Sequence, residues 1–178
     1  MLYDWPHCAI IDGVLETTLD QLLLAFGRKK KQTVEMCAEY LHLWTWPRQF
    51  DNPKKILDVG HLKATASMLL SAAPVLAKFF RDIMRSTGEH TREIDCFVQA
   101  CTLIEHFKDA NKDVRMTPEK LEDEVIVFGR TYLSTFGEDG WVLKFHLLQH
   151  IPRQWKALCV KMKHFGSGAE TQRRNKNT

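Results

Sequence analysis

From Thr117 to Gly137 the apolar residues return at helical intervals. Leu121, Val125, Phe128, Tyr132 and Phe136 are separated by four, three, four and four positions. On an α-helix these steps place all five on one face, leaving Glu119, Lys120, Glu122, Asp123, Arg130 and Ser134 around the rest. The ends carry matching signals. Thr117 can cap the start through its hydroxyl, and Pro118 suits the first turn, where a missing N–H is not felt. Glu119, Glu122 and Asp123 lie toward the positive end of the helix dipole. Gly137 is a natural stop. Gly129, inside the helix, weakens it by about 1 kcal/mol relative to alanine, which suggests close packing against a neighbour. This helix is expected to be central, with the following KFHLLQHIP run packed on it.

The same periodicity organises the rest of the chain. Met1–Ile11 is apolar and aromatic and begins with no lead-in, as if part-way through a larger unit; Ile10 and Ile11 fit the tail of a strand. Asp12 stands where a cap would stand, ahead of Leu15, Leu19, Leu22 and Phe26, and Gly27 closes that helix. A second helix is expected over Gln32–Trp44, with Val34, Cys37, Leu41 and Trp44 on one stripe. Two prolines and an Asn-Pro step then make Thr45–Val59 a loop and the best candidate for mobility. Gly60–Ser86 reads as a long helix, with Leu62, Ala66, Leu69 and Leu70 serving its first part and Leu76, Phe79, Phe80 and Ile83 its second. Pro74 between them predicts a kink or two abutting helices. Thr91–Lys108 follows, with Ile94, Phe97, Val98, Cys101, Ile104 and Phe107 inward. After the Thr117 helix come a turn at Gly137–Gly140, a short helix over Trp141–Gln149 that Pro152 ends or bends, and weak helical character over Gln154–Phe165. These patterns predict an all-α fold, an irregular bundle of about six or seven helices joined by short turns. The expected organisation is one domain over residues 1–165 and a disordered, polar and basic tail over 166–178.

Composition narrows the class. With 178 residues and 44% hydrophobic content the chain can bury one sizeable core. Five cysteines without CxxC spacing, and an amino terminus without a secretory pattern, fit free thiols in a reducing intracellular compartment. No apolar stretch is long enough to cross a membrane. The net charge of +3 is too small to require a nucleic-acid partner. Its distribution says more: Arg28, Lys29, Lys30 and Lys31 form one basic run, and Arg173, Arg174 and Lys176 another. The first run can touch DNA phosphates without reading bases, or be a solvated turn. His146 and His150, four apart, would share a helix face. Such a pair can bind zinc, or can pack as structural histidines against the main helix with ring nitrogens bonded to backbone. The residue after His146 is Leu147, so the glutamate of the zinc-protease pattern is missing. Cys37, Cys96 and Cys101 read as core, and the five tryptophans as packing groups.

Three segments resemble transposases of RNase H-like fold, in the broad group that includes CACTA-type elements. DWPHCAIIDGVLETTLDQLL is similar to that family's D-x-M-H segment: Asp4 and His7 match, and Pro6 replaces the usual methionine. HLKATASMLLSAAPVLAKFF is similar to its LKASEW helix and LP step. KFHLLQHIPRQ is similar to its K-x-H-x-x-x-H-x-P segment, with Lys144, His146, His150 and Pro152 matching. The likeness spans roughly Tyr3–Pro152. It implies that the helices form an all-α insertion beside a nuclease centre in which three carboxylates hold two divalent cations, Mg²⁺ in an intact parent enzyme. Asp4 takes one carboxylate position. A first carboxylate is expected upstream of this chain, and the last has no counterpart in context, since Glu170 is the only acid after the histidine segment. The resemblance therefore implies a fragment or degraded copy with no cofactor of its own. Its expected role is DNA binding or transposase assembly in the nucleus, with DNA, the rest of a transposase or another protein as partner. The alternative is a stand-alone all-α interaction module with no nucleic-acid role.

Overall fold

The computed structural model describes residues 9–10, 12–46, 57–58, 61–62, 65–110, 116–138, 140–141 and 143–157. Within them the protein is an all-α bundle. Six α-helices are formed: Val14–Ala25 (α1), Lys30–His42 (α2), Ala66–Phe79 (α3), Thr91–Ala110 (α4), Pro118–Phe136 (α5) and Leu143–Leu148 (α6). A further helical stretch covers 150–157. The expected tail at 166–178 and the amino-terminal segment with Asp4 and His7 lie outside the described residues.

The hub is α4. It packs against α1, α3, α5 and the turn that follows α3. The expectation that α5 is central is corrected by the width of the buried arc on each helix. On α5, Leu121, Val125, Phe128 and Tyr132 make a single buried stripe. On α4, Cys96, Ala100 and Leu103 are buried beside Ile94, Phe97, Cys101, Ile104 and Phe107. At 100° per residue those eight positions take up half the circumference, so α4 can be covered from several sides at once. Val98, expected inward, is only half-buried.

Local signals set the helix limits. The Thr117 hydroxyl accepts the Lys120 N–H at 3.2 Å, and Gly137, at φ +70°, ends α5. Thr65 caps α3 in the same way, accepting from Met68 at 3.2 Å. Asp12 does not cap α1. The cap position is Gly13, and the Asp12 N–H instead donates to Glu16 Oε2 at 2.6 Å, so a side chain inside the helix reaches back to the residue before it. Ile10 is no strand residue: it sits in the turn ahead of α1, buried, with its carbonyl accepting the Glu16 N–H at 3.2 Å.

The segment around Pro74 also departs from expectation. Leu57–Asp58 (β1) and His61–Leu62 (β2) pair as a minimal antiparallel hairpin, Leu57 opposite Leu62. Leu62 is therefore not part of a helix. Helix α3 runs through Pro74 unbroken. Proline removes one bond, that to the Leu70 carbonyl. Buried residues on both sides of it, Leu69, Ala72 and Ala73 before and Val75, Leu76 and Ala77 after, hold the helix together through packing. The irregularity comes later, as a π turn over Phe80–Met84 and a tight 3₁₀ turn over Arg85–Thr87. A π turn is wound more loosely than the α-helix and shifts the inward face by a residue. Met84 accordingly goes in, 8% exposed, and Ile83, expected in the core, turns out at 39%.

Candidate nucleic-acid interface

Two stretches carry the candidate chemistry: the basic run between α1 and α2, and the lysine–histidine segment of α6.

Gly27, at φ +53°, breaks α1 and turns the chain. Gly27–Lys29 form one 3₁₀ turn, and α2 starts at Lys30. The run is anchored at both ends. Phe26 is buried before it, its ring 4.7 Å from His90 and 6.4 Å from Phe80. Thr33 is buried after it, and its hydroxyl donates to the Lys29 carbonyl at 3.1 Å. Between these anchors Arg28, Lys29 and Lys31 are exposed and Lys30 is half-buried. Lys29 Nζ lies 2.7 Å from both carboxylate oxygens of Glu89. Lys31 is 4.0 Å from Glu35, one turn along the helix. Among the described residues Arg28 and Lys30 have no ion-pair partner. Helix α2 has no acid in its first turn. Its positive dipole end and the cations therefore add rather than offset one another, an arrangement that costs stability and raises the local potential.

On α6 the inward residues are Phe145 and Leu148, followed by Ile151 and Pro152. The Phe145 ring lies 4.7 Å from Tyr132, 4.8 Å from Trp141 and 6.0 Å from Phe128, so KFHLLQHIP does pack on α5 through its aromatic residue. Regularity breaks at Gln149, and Pro152 falls in the first turn of the 150–157 stretch rather than ending a helix.

The histidines do not pack as expected. His146 is exposed and His150 half-buried. Their rings meet edge to face at 5.0 Å, with the two Nε2 atoms 3.3 Å apart. They share a hydrogen bond when one nitrogen is protonated and the other is not. The reason is phase: a residue next to an inward position is rotated by 100°, which carries His146 away from the core that Phe145 enters. No group of three His, Cys, Asp or Glu side chains able to hold a metal occurs among the described residues. The pair alone falls short of a structural zinc site, which takes four ligands.

Lys144 has a different place. It is half-buried, and its Nζ is 3.9 Å from Asp12 Oδ2. It also acts on Glu16, whose carboxyl is held above its ordinary range. Burial is the main cause. The Asp12 N–H opposes it, Asp12 and Asp20 add to it, and Lys144 lowers it. Lys144 thus ties α6 to the entry of α1, where acids crowd.

Residues that the linear pattern did not single out complete the picture. Glu89, 60 positions from Lys29 in the chain, pairs with the basic run, and His90 packs on Phe26 just before it. Nothing in the sequence marks that meeting. Gly140 is another. At φ +72° it wedges against α1 and α5, and an added Cβ would stand 2.7 Å from Gln21 Nε2 and 2.8 Å from the Tyr132 hydroxyl. Cys37, Cys96 and Cys101 are buried free thiols. Burial pushes all three up, Cys96 to about 12, so none is a nucleophile near neutral pH. Asp4 and His7 lie outside the described residues. Among the described residues, no helix is long and apolar enough to cross a membrane. No known protein family, curated protein or solved structure matches this chain, and the likeness to transposases rests on its short motifs alone.

Proposed function

We propose that the chain is a transposase-derived helical domain that holds duplex DNA through its backbone, or helps to assemble a transposase on it, without cutting DNA by itself. The observation that supports this is the exposed basic run at the entry of α2. Arg28 and Lys30 have no acidic partner among the described residues, and the first turn beneath them has no acid to offset the helix dipole. Cations so placed gain little from the fold and a good deal from phosphate, whose counterions they release. Contacts of that kind position a duplex without reading its sequence.

A second reading, a stand-alone interaction module, is favoured by the far end of the same helix. Leu43 is 80% exposed, and Met36 and Trp44 are more than a third exposed. Apolar groups left in water suit a protein partner.

Labelled duplex DNA separates the two. Binding is expected at low salt, and it should weaken as salt rises from about 50 to 200 mM, with a slope near −0.9 per phosphate contacted. Replacing Lys29, Lys30 and Lys31 together by glutamine should flatten that slope. A protein that leaves the duplex untouched at the lowest salt rules out the DNA reading and leaves the interaction module. In a Mg²⁺-dependent nicking assay, wild type and Asp4→Ala should be equally inactive.

A further inference from the structure

We propose that Glu89 is a built-in competitor of DNA phosphate: its carboxylate occupies Lys29 in the free protein and is displaced when a duplex backbone binds the basic run. This rests on the DNA reading above and adds a regulatory residue to it.

The turn that carries Glu89 is held firmly. Gly88 and His90, on either side of it, both have positive φ, +76° and +52°. The first is natural for glycine; the second is uncommon for a histidine and is kept by its surroundings. The His90 ring packs on the buried Phe26 at 4.7 Å. The His90 carbonyl accepts the Ile94 N–H at 2.9 Å, fixing the turn to the start of α4. Phe26 is the residue directly before the 3₁₀ turn that carries Arg28 and Lys29. The two segments are therefore pinned together just beneath Lys29 and Glu89, and the carboxylate is delivered to the ammonium by the fold.

The contact itself is of the kind that a polyanion can replace. Both oxygens of Glu89 lie 2.7 Å from Lys29 Nζ. The side chains remain 60% and 49% exposed, so water and salt reach the pair. Open ion pairs of this kind are weak, because water and salt screen them. A duplex backbone presents a row of phosphates, so one strand can engage Arg28 or Lys30 as well as Lys29, which the single carboxylate cannot do. The Lys29 ammonium beside it holds the Glu89 carboxyl below its ordinary range, so Glu89 is a full charge at neutral pH and repels phosphate until it is displaced.

The experiment uses the full chain and a labelled duplex across a salt series. Glu89→Gln should bind on the order of threefold to tenfold more tightly than wild type at about 100 mM salt, with a salt slope close to that of wild type, because Lys29 meets phosphate in both complexes. Lys29→Gln alone and with Glu89→Gln completes a cycle, and thermal melts check that each variant is folded. The gain from Glu89→Gln should vanish in the Lys29→Gln background. If wild type binds and Glu89→Gln does not differ from it, the competition is wrong and the DNA reading stands. An undiminished gain in the Lys29→Gln background also overturns it, since the acid would then act through overall charge. If neither protein binds at the lowest salt, both ideas fall.

Discussion

Gly140 belongs to a turn that glycine suggests, yet its demand is tertiary. It combines a left-handed backbone with close contacts that an added Cβ would crowd, the Gln21 amide on α1 and the hydroxyl of the buried Tyr132 on α5. Gly140→Ala should therefore destabilise the protein by about 2 kcal/mol or more, measured by urea unfolding. Gly129→Ala should do the opposite, because the Trp141 ring stands 3.5 Å away, at ordinary contact distance, and alanine favours the helix. Glu16 contributes one pH dependence. Its carboxyl is raised on folding by burial, so the folded state holds the proton more tightly than the unfolded state does. Stability is then lost as pH rises from the ordinary carboxylate range through the raised value, and stays lower above it. Glu16→Gln, which keeps an oxygen for the Asp12 N–H, should raise the melting temperature at pH 7 and lose that advantage in acid, below the ordinary range.

Elements were legible where a helix is decided by its own spacing and ends. Thr117, Pro118 and Gly137 bound α5 as their chemistry suggests, and four of its five periodic residues are fully buried. The stretch after α3 was not legible. Whether a helix stays α or loosens into a π turn depends on what it packs against, and Phe80, in that turn, stacks edge to face on Phe79 and on Phe97 of α4. The π turn predicts a reversal that can be tested. Met84→Ala should cost about 2–5 kcal/mol and Ile83→Ala well under half of that, by chemical denaturation. A regular helix would give the larger loss at Ile83.

At the scale of the molecule, α4 is where the helices meet, so its backbone opens only when much of the bundle opens. Native-state hydrogen exchange should find the slowest amides in α4, around Phe97–Ile104, and faster exchange in α6 and the 150–157 stretch. Slowest exchange confined to α5 would restore the centre that the sequence suggested. The same packing brings the turn at Glu89 to the basic run, and so decides how the candidate interface is charged.

By itself the sequence determined the helical class, most helix limits, the thiol-bearing core and the existence of a basic run, because these follow from period, caps and composition over a few neighbouring residues. The tertiary structure alone decided that α4 and not α5 is the hub, that Ile83 and His146 face outward, that a side chain at Gly140 would crowd Gln21 and Tyr132, and that Lys29 is already held by Glu89. Each of these depends on which distant surfaces touch. Contact between residues far apart in the chain is set by the sum of all the packed faces, and no local pattern encodes it.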